Sequence, residues 1–143
     1  MAKTIYLCSK STLPQSLPEQ LFKICTKLTP DYITPVKPAI AINKNTAYGI
    51  MNPNSTITEQ GLSLLMGKVF ERNDKWNIPL ERFPDGSYAL FRNNDDYCEV
   101  VTDPVASRTI WYYHDDEIFI ASTSQRAIVM YLGSFEFEER LIP

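Results

Sequence analysis

The residues of this chain able to carry group-transfer or metal chemistry are few: three cysteines, one histidine and scattered carboxylates. Cys8, Cys25 and Cys98 are odd in number and fit no metal-ligand spacing, so free, buried thiols are expected. His114 stands alone. A zinc site built on several histidines is therefore excluded, and any Ser-His or Cys-His nucleophile would have to use this one ring. No glycine-rich phosphate loop occurs anywhere in the 143 residues. The pair Asp85-Gly86 reads as a good turn, and Gly67 interrupts an apolar run.

The elements that would position these groups are those of one sheet-rich domain. A chain of 143 residues is long enough for a single core, and 8 Tyr, 7 Phe and 2 Trp favour pleated surfaces. The formal net charge is −3 and the basic residues form no stripe, which gives nucleic-acid binding no support. The apolar runs are too short for a membrane span, and the first residues lack the apolar core of a signal peptide, so a cytoplasmic location is expected.

Along the chain, residues 4–8 read as a first strand. Ser16-Leu17-Pro18-Glu19 has the pattern of a capping box with proline in the first turn, and Leu21, Phe22, Cys25 and Leu28 follow at helical spacing until Thr29-Pro30. Residues 31–38, with three prolines, are expected to be irregular. Ala39–Ile42 and Thr46–Met51 predict a hairpin across Asn43-Lys44-Asn45, and residues 52–55 a loop. Residues 62–70 read as a strand rather than a helix because of Gly67 and Val69. Residues 73–84 are polar and show little sign of a long helix, with Trp76 as their anchor. Residues 87–92 are nearly all apolar, which predicts a strand buried on both faces. Cys98–Thr102 returns beside it, and residues 108–113 and 117–121 form a hairpin. Residues 122–124 cap a helix over Gln125–Leu132 that stops at Gly133.

Four words in the last third occur in a particular order: Asp85-Gly86-Ser87-Tyr88-Ala89-Leu90-Phe91, Val101-Thr102-Asp103-Pro104, Arg108-Thr109-Ile110-Trp111-Tyr112-Tyr113 and Ile118-Phe119-Ile120-Ala121-Ser122. This order resembles the N-terminal, class II glutamine amidotransferase domain of the asparagine synthetase family. The resemblance is clearest over residues 62–132. It implies an α+β fold of the N-terminal-nucleophile (Ntn) hydrolase kind, a four-layer sandwich with two antiparallel sheets between helices.

What the resemblance implies for chemistry is a loss. The family's nucleophile is a cysteine exposed by removal of methionine, whose own amine serves as base. Here Ala2 follows Met1. The family's Asn-Gly-Glu run, which supplies the oxyanion hole, matches Leu65-Met66-Gly67-Lys68-Val69-Phe70. Methionine replaces the asparagine donor and lysine replaces the acid. The arginine that binds the glutamine carboxylate has no counterpart in residues 47–52. Asp85 matches the aspartate that pairs with the glutamine ammonium, with turn formation as the competing role. Asp103 matches a structural aspartate, while Arg108, Tyr112 and Tyr113 match packing and interface residues. Cys8 or Thr4 could serve as nucleophile only after an additional processing step. β-Lactam synthetase and the lasso-peptide cyclases show a similar loss.

The expectation is a degenerate, non-catalytic amidotransferase-like domain over residues 1–133, with 134–143 starting a linker toward a synthetase domain. No catalytic residue and no metal ligand is assigned. Gly67, Asp85 and Gly86 are the remnant substrate-binding candidates. ATP and magnesium are expected only in the downstream domain. The synthetase domain is the expected partner, with a peptide substrate and an oligomer as further options. Two alternatives stand beside this: an active glutamine-hydrolysing domain, and a stand-alone module that binds a peptide or protein.

Overall fold

The computed structural model describes residues 2–30, 36–71 and 73–133. Two antiparallel sheets and two helices form an α+β arrangement. Strand β1 (Lys3–Ser9) leads into helix α1 (Leu17–Leu28), followed by β2 (Ala39–Ile42) and β3 (Thr46–Met51). Then come β4 (Ile57–Gln60), β5 (Ser63–Val69), β6 (Gly86–Asn93) and β7 (Cys98–Thr102). The hairpin β8 (Trp111–His114) and β9 (Ile118–Ser122) precedes helix α2 (Gln125–Leu132). The five-stranded sheet has the order β2-β3-β1-β9-β8, and the four-stranded sheet β4-β5-β6-β7.

The period-two alternation of each strand decides what lies on either side. In β1, Ile5 and Leu7 point to one face, where they join Ala47, Met51 and Ile120 against Leu17, Leu21, Ile24 and Cys25 of α1 and Ala127 and Ile128 of α2. Tyr6 points to the other face and meets Tyr48, Ile50, Leu64, Met66, Ala89 and Phe91 between the two sheets. There the Tyr6 ring stacks on Phe91 with centroids 5.2 Å apart, and its hydroxyl donates to the Leu62 carbonyl at 2.6 Å. Burial raises the Tyr6 phenol above its ordinary range.

Strand β6 is buried on both faces, as its apolar run predicts. Ala89 and Phe91 face the inter-sheet core, while Tyr88 and Leu90 pack outward with Leu65, Val101 and Trp76. The cover on that outer face is not helical. Among the described residues both helices pack on the five-stranded sheet, and the expected second helical layer over β4–β7 is not formed. Its place is taken by the turns of residues 73–84, which Arg92 holds down. Arg92 is fully buried. Its Nε donates to the Trp76 carbonyl at 2.6 Å, its Nη1 to the Glu81 carbonyl at 2.9 Å and to Glu99 Oε2 at 3.2 Å, and its Nη2 to the Arg82 carbonyl at 3.2 Å. One planar fork thus satisfies three loop carbonyls that no ladder reaches.

The structure departs from the sequence patterns at the start of α1, along its apolar stripe and at β4. Ser16 makes no side-chain cap and lies in the right-handed region, so the capping box is not formed; α1 is entered through a turn in which Leu17 N–H donates to the Pro14 carbonyl. Phe22 lies off the buried stripe and Ile24 on it. Strand β4 has no expected counterpart. It pairs with β5 through a two-residue connection in which Gly61 has φ 60°. At α2 the serine that contributes is Ser122, whose hydroxyl accepts from Ser124 N–H at 2.9 Å and donates to the Thr4 carbonyl at 2.6 Å. Of the proline-rich stretch 31–38, residues 31–35 lie outside the described residues, as does the linker assigned to 134–143.

Candidate functional site

Two cavities open at opposite ends of β1. One, of about 340 Å³, is lined by Ala2, Lys3, Ser87, Ser107, Arg108, Thr109 and Thr123. The other, of about 230 Å³, lies at the far end of the strand beside Cys8, Thr46, Asn93 and Cys98. Six residues of extended chain separate Ala2 from Cys8, roughly 20 Å.

The first cavity is where the start of β1 meets the start of β6. Ala2 is 3% exposed and packs with Met66 and Ala89 in the inter-sheet core. The next residues are held tightly. Thr4 N–H donates to Thr123 Oγ1 at 3.0 Å, and the Thr4 hydroxyl donates to the Gly49 carbonyl at 2.9 Å, which leaves that hydroxyl without a general base. On the opposite sheet Asp103 organises the wall. Its carboxylate accepts from Tyr88 N–H at 3.0 Å, Val105 N–H at 3.1 Å, Ser107 N–H at 3.3 Å and the Ser107 hydroxyl. The Ser107 hydroxyl bond, followed by these amides, holds the Asp103 carboxyl below the usual carboxylate range. Ser107 in turn shares a 2.8 Å hydrogen bond with Ser87.

Arg108, which the sequence assigns to packing, is the unsatisfied member of this wall. Its Nε is buried without an acceptor, and the side chain makes no ion pair among the described residues. A buried N–H left unpaired costs about 1–3 kcal/mol, so this is an unusual thing for a fold to keep.

The three candidates Gly67, Asp85 and Gly86 fall together at the adjoining edge of β5 and β6. Gly67 lies opposite Tyr88 and Gly86 opposite Val69. None of the three lines the cavity. Gly67 has φ 135°, and a Cβ there would run into the Ser87 carbonyl oxygen. Its N–H donates to the Thr56 carbonyl at 2.8 Å, so it is not presented to a developing oxyanion. Gly86 is a strand residue without positive φ, so Asp85-Gly86 does not form the left-handed turn that the pair suggests; a Cβ on Gly86 would meet the Lys68 carbonyl of β5. Asp85 is exposed, its carbonyl accepts from Phe70 N–H at 2.8 Å, and its N–H donates to Glu71 Oε1 at 3.3 Å.

The cysteine expectation is corrected. Cys8 and Cys98 are joined as a disulfide across 90 residues, with Cα atoms 6.7 Å apart. Position 8 on the inner face of β1 sets it over the end of β7, a juxtaposition of sheets that spacing along the chain does not reveal. Cys25 alone is free, and burial pushes its thiol up to about 12. His114 lies away from Cys8. It is level with Cys8 across β8, β9 and β1, through Phe119, which puts it about two strand spacings, roughly 10 Å, away. No Cys-His pair forms.

No family model, curated protein or solved structure matches the chain. The geometry therefore carries the functional reading by itself. Among the described residues no group of three or more His, Cys, Asp or Glu side chains is placed to hold a metal ion. The sequence contains no glycine-rich phosphate loop. No described helix is long and apolar enough to cross a membrane.

Proposed function

We propose that this chain is a non-catalytic, amidotransferase-like domain of an asparagine-synthetase-like, ATP-dependent amide-forming enzyme, acting as the structural partner of the synthetase domain. The observation that supports this reading is the packing at the start of β1. Ala2 and Met66 share the inter-sheet core, and the Gly67 N–H is committed to Thr56. An amide-splitting site needs a nucleophile and free donors at that place. An apolar contact offers neither, and the described hydroxyl at Thr4 is tied to Gly49.

The four-layer Ntn-hydrolase description belongs to the same proposal. The two antiparallel sheets and the helices on one of them supply three of its layers; among the described residues the fourth, helical layer over β4–β7 is replaced by the turns of residues 73–84. A cytoplasmic setting fits an ATP-dependent partner, and the Cys8–Cys98 bond is the observation that weighs against it, since disulfides persist in oxidising compartments. ATP and magnesium then act in the partner domain.

Release of glutamate from glutamine by the purified chain tests the proposal. The expected result is a rate indistinguishable from buffer, with no mass increase after exposure to a thiol- and hydroxyl-reactive glutamine analogue. Sustained hydrolysis would overturn it and restore the active-glutaminase reading. The partner is tested by reading the coding sequence around this chain for a Ser-Gly-Gly-x-Asp-Ser-like ATP loop. One observation favours the stand-alone interaction module: Trp111 and Tyr112, on edge strand β8, are 44% and 72% exposed.

A further inference from the structure

We propose that the Cys8–Cys98 bond is a thiol–disulfide exchange site for a small, positively charged thiol, which is taken up on Cys98 while Cys8 leaves as the thiolate. This does not rest on the synthetase reading.

Access is the first observation. Cys8 and Cys98 both line the cavity at the far end of β1, and neither residue is buried. The cavity, about 230 Å³, has the space of about seven waters, enough for a thiol of a few heavy atoms.

The two sulfurs differ in their surroundings, and this decides the direction of attack. The Thr46 hydroxyl, 3.8 Å away, and the Asn93 side-chain amide, 3.7 Å away, both donate toward Cys8 Sγ. Among the described residues no donor reaches Cys98 Sγ. Hydrogen-bond donors stabilise a thiolate, and a disulfide opens faster when the departing sulfur is the better stabilised one. Cys8 is therefore the leaving group and Cys98 the sulfur attacked. The incoming thiolate bonds to Cys98 Sγ as the bond between the two cysteines breaks, and the electron pair of that bond departs on Cys8. One disulfide replaces another, so this step needs no reagent beyond the thiol. A second thiolate then attacks the outer sulfur of the adduct and leaves with it as a small disulfide. The two thiols together supply the two electrons that leave Cys8 and Cys98 reduced. Attack of Cys8 on the adduct reverses the first step.

Charge selects the thiol. The lining sets Lys10 against Asp95, Asp96, Asp115 and Glu117, a net −3. Such a cleft concentrates cations and repels anions, so an aminothiol is favoured over an anionic thiol. Exchange unclips β1 of one sheet from β7 of the other. Beside that bond the Asn93 amide donates to the Thr46 hydroxyl at 3.2 Å and joins β6 to β3, so the two sheets keep a polar contact here when the bond opens.

The test exposes the full, disulfide-bonded chain to cysteamine, 2-mercaptoethanol and 3-mercaptopropionate, which are cationic, neutral and anionic at similar size. Samples are quenched with acid, alkylated and mapped by peptide mass. At low ionic strength the rates, corrected for thiolate fraction and basicity, are expected to fall in that order by about tenfold or more from first to last. The early cysteamine adduct is expected on Cys98, with Cys8 alkylated. At about 1 M salt the spread narrows, because screening shortens the reach of the carboxylates. Asp95→Asn combined with Asp96→Asn, both exposed, slows cysteamine about threefold or more and leaves 2-mercaptoethanol unchanged. The salt dependence of the parent chain serves should that variant not fold. An adduct on Cys8, no adduct in the early quench, a smaller spread among the three thiols, or a spread indifferent to salt overturns the inference.

Discussion

Replacing Arg92 by methionine asks whether one side chain holds the cover over the outer face of β4–β7. Methionine keeps most of the aliphatic volume and removes every donor. The Trp76, Glu81 and Arg82 carbonyls lose their partner, and Glu99, whose side chain is 19% exposed, loses its ion pair. Breaking a buried pair from one side costs about 3–5 kcal/mol. The loop carbonyls can recover water only if residues 73–84 lift, which also uncovers Leu65, Tyr88 and Leu90. Because Glu99 reaches solvent, the lower part of that range is the better value, about 3–4 kcal/mol. Against a domain stability of about 5–15 kcal/mol, Arg92→Met is still folded at 25 °C, with its urea midpoint moved far down. Arg92→Lys, with one donor head in place of a planar fork, is expected to lose about 2 kcal/mol. Urea unfolding followed by tryptophan fluorescence reads the loss, and amide exchange reads where it falls: protection in residues 73–84 should vanish first. A midpoint corresponding to less than 1 kcal/mol of change, or exchange that rises in α1 instead, would refute the assignment of the cover to Arg92.

Other outcomes follow from the same geometry. Asp103 has a folded pKa below its unfolded value, so its stabilising effect is complete above the unfolded carboxylate range, near 3.9, and is lost as pH falls through the lower folded value; acid unfolding of Asp103→Asn should show a flatter dependence on pH below about 4 than the parent chain. Gly67→Ala should cost more than about 2 kcal/mol in urea unfolding, since φ 135° and the Ser87 carbonyl both oppose a Cβ; a neutral result would disprove the close approach. Thiol titration under non-reducing conditions should find no fast-reacting group in the native chain, one in denaturant and three after reduction, because Cys25 is buried and Cys8 is bonded to Cys98. Three thiols in denaturant without reductant would contradict the bond.

Much of the fold was legible along the chain because strands announce themselves by local chemistry. The Ala39–Ile42 and Thr46–Met51 hairpin, the doubly buried run of β6 and the closing helix at Gly133 are each signalled by their own residues. β4 was not, because Ile57-Thr58-Glu59-Gln60 has one apolar residue and becomes a strand only by pairing with β5. The pairing of Cys8 with Cys98 and the fork of Arg92 were illegible for a related reason: the first joins strands that meet only when the two sheets stack, and the second joins β6 to a loop that meets it only when that loop folds over the outer face of its sheet. The candidate site divides the same way. Gly67 and Gly86 were visible as glycines, but their purpose, letting β5 and β6 approach, is a property of the ladder. Arg108 gave no signal beyond its charge. What singles it out is an absent hydrogen-bond acceptor, which is a fact about three-dimensional surroundings.

The bond between Cys8 and Cys98 turns the intervening chain, with α1 and β2 through β6, into a covalent ring from which, among the described residues, the first strand's beginning emerges on one side and the rest of β7, the final hairpin and α2 on the other. A protease that nicks the exposed turn before β4 therefore cuts the polypeptide without dividing the molecule. The two pieces migrate together until a reductant is added, and the nicked protein keeps its β1–β9 ladder, whose strands lie on opposite sides of the cut.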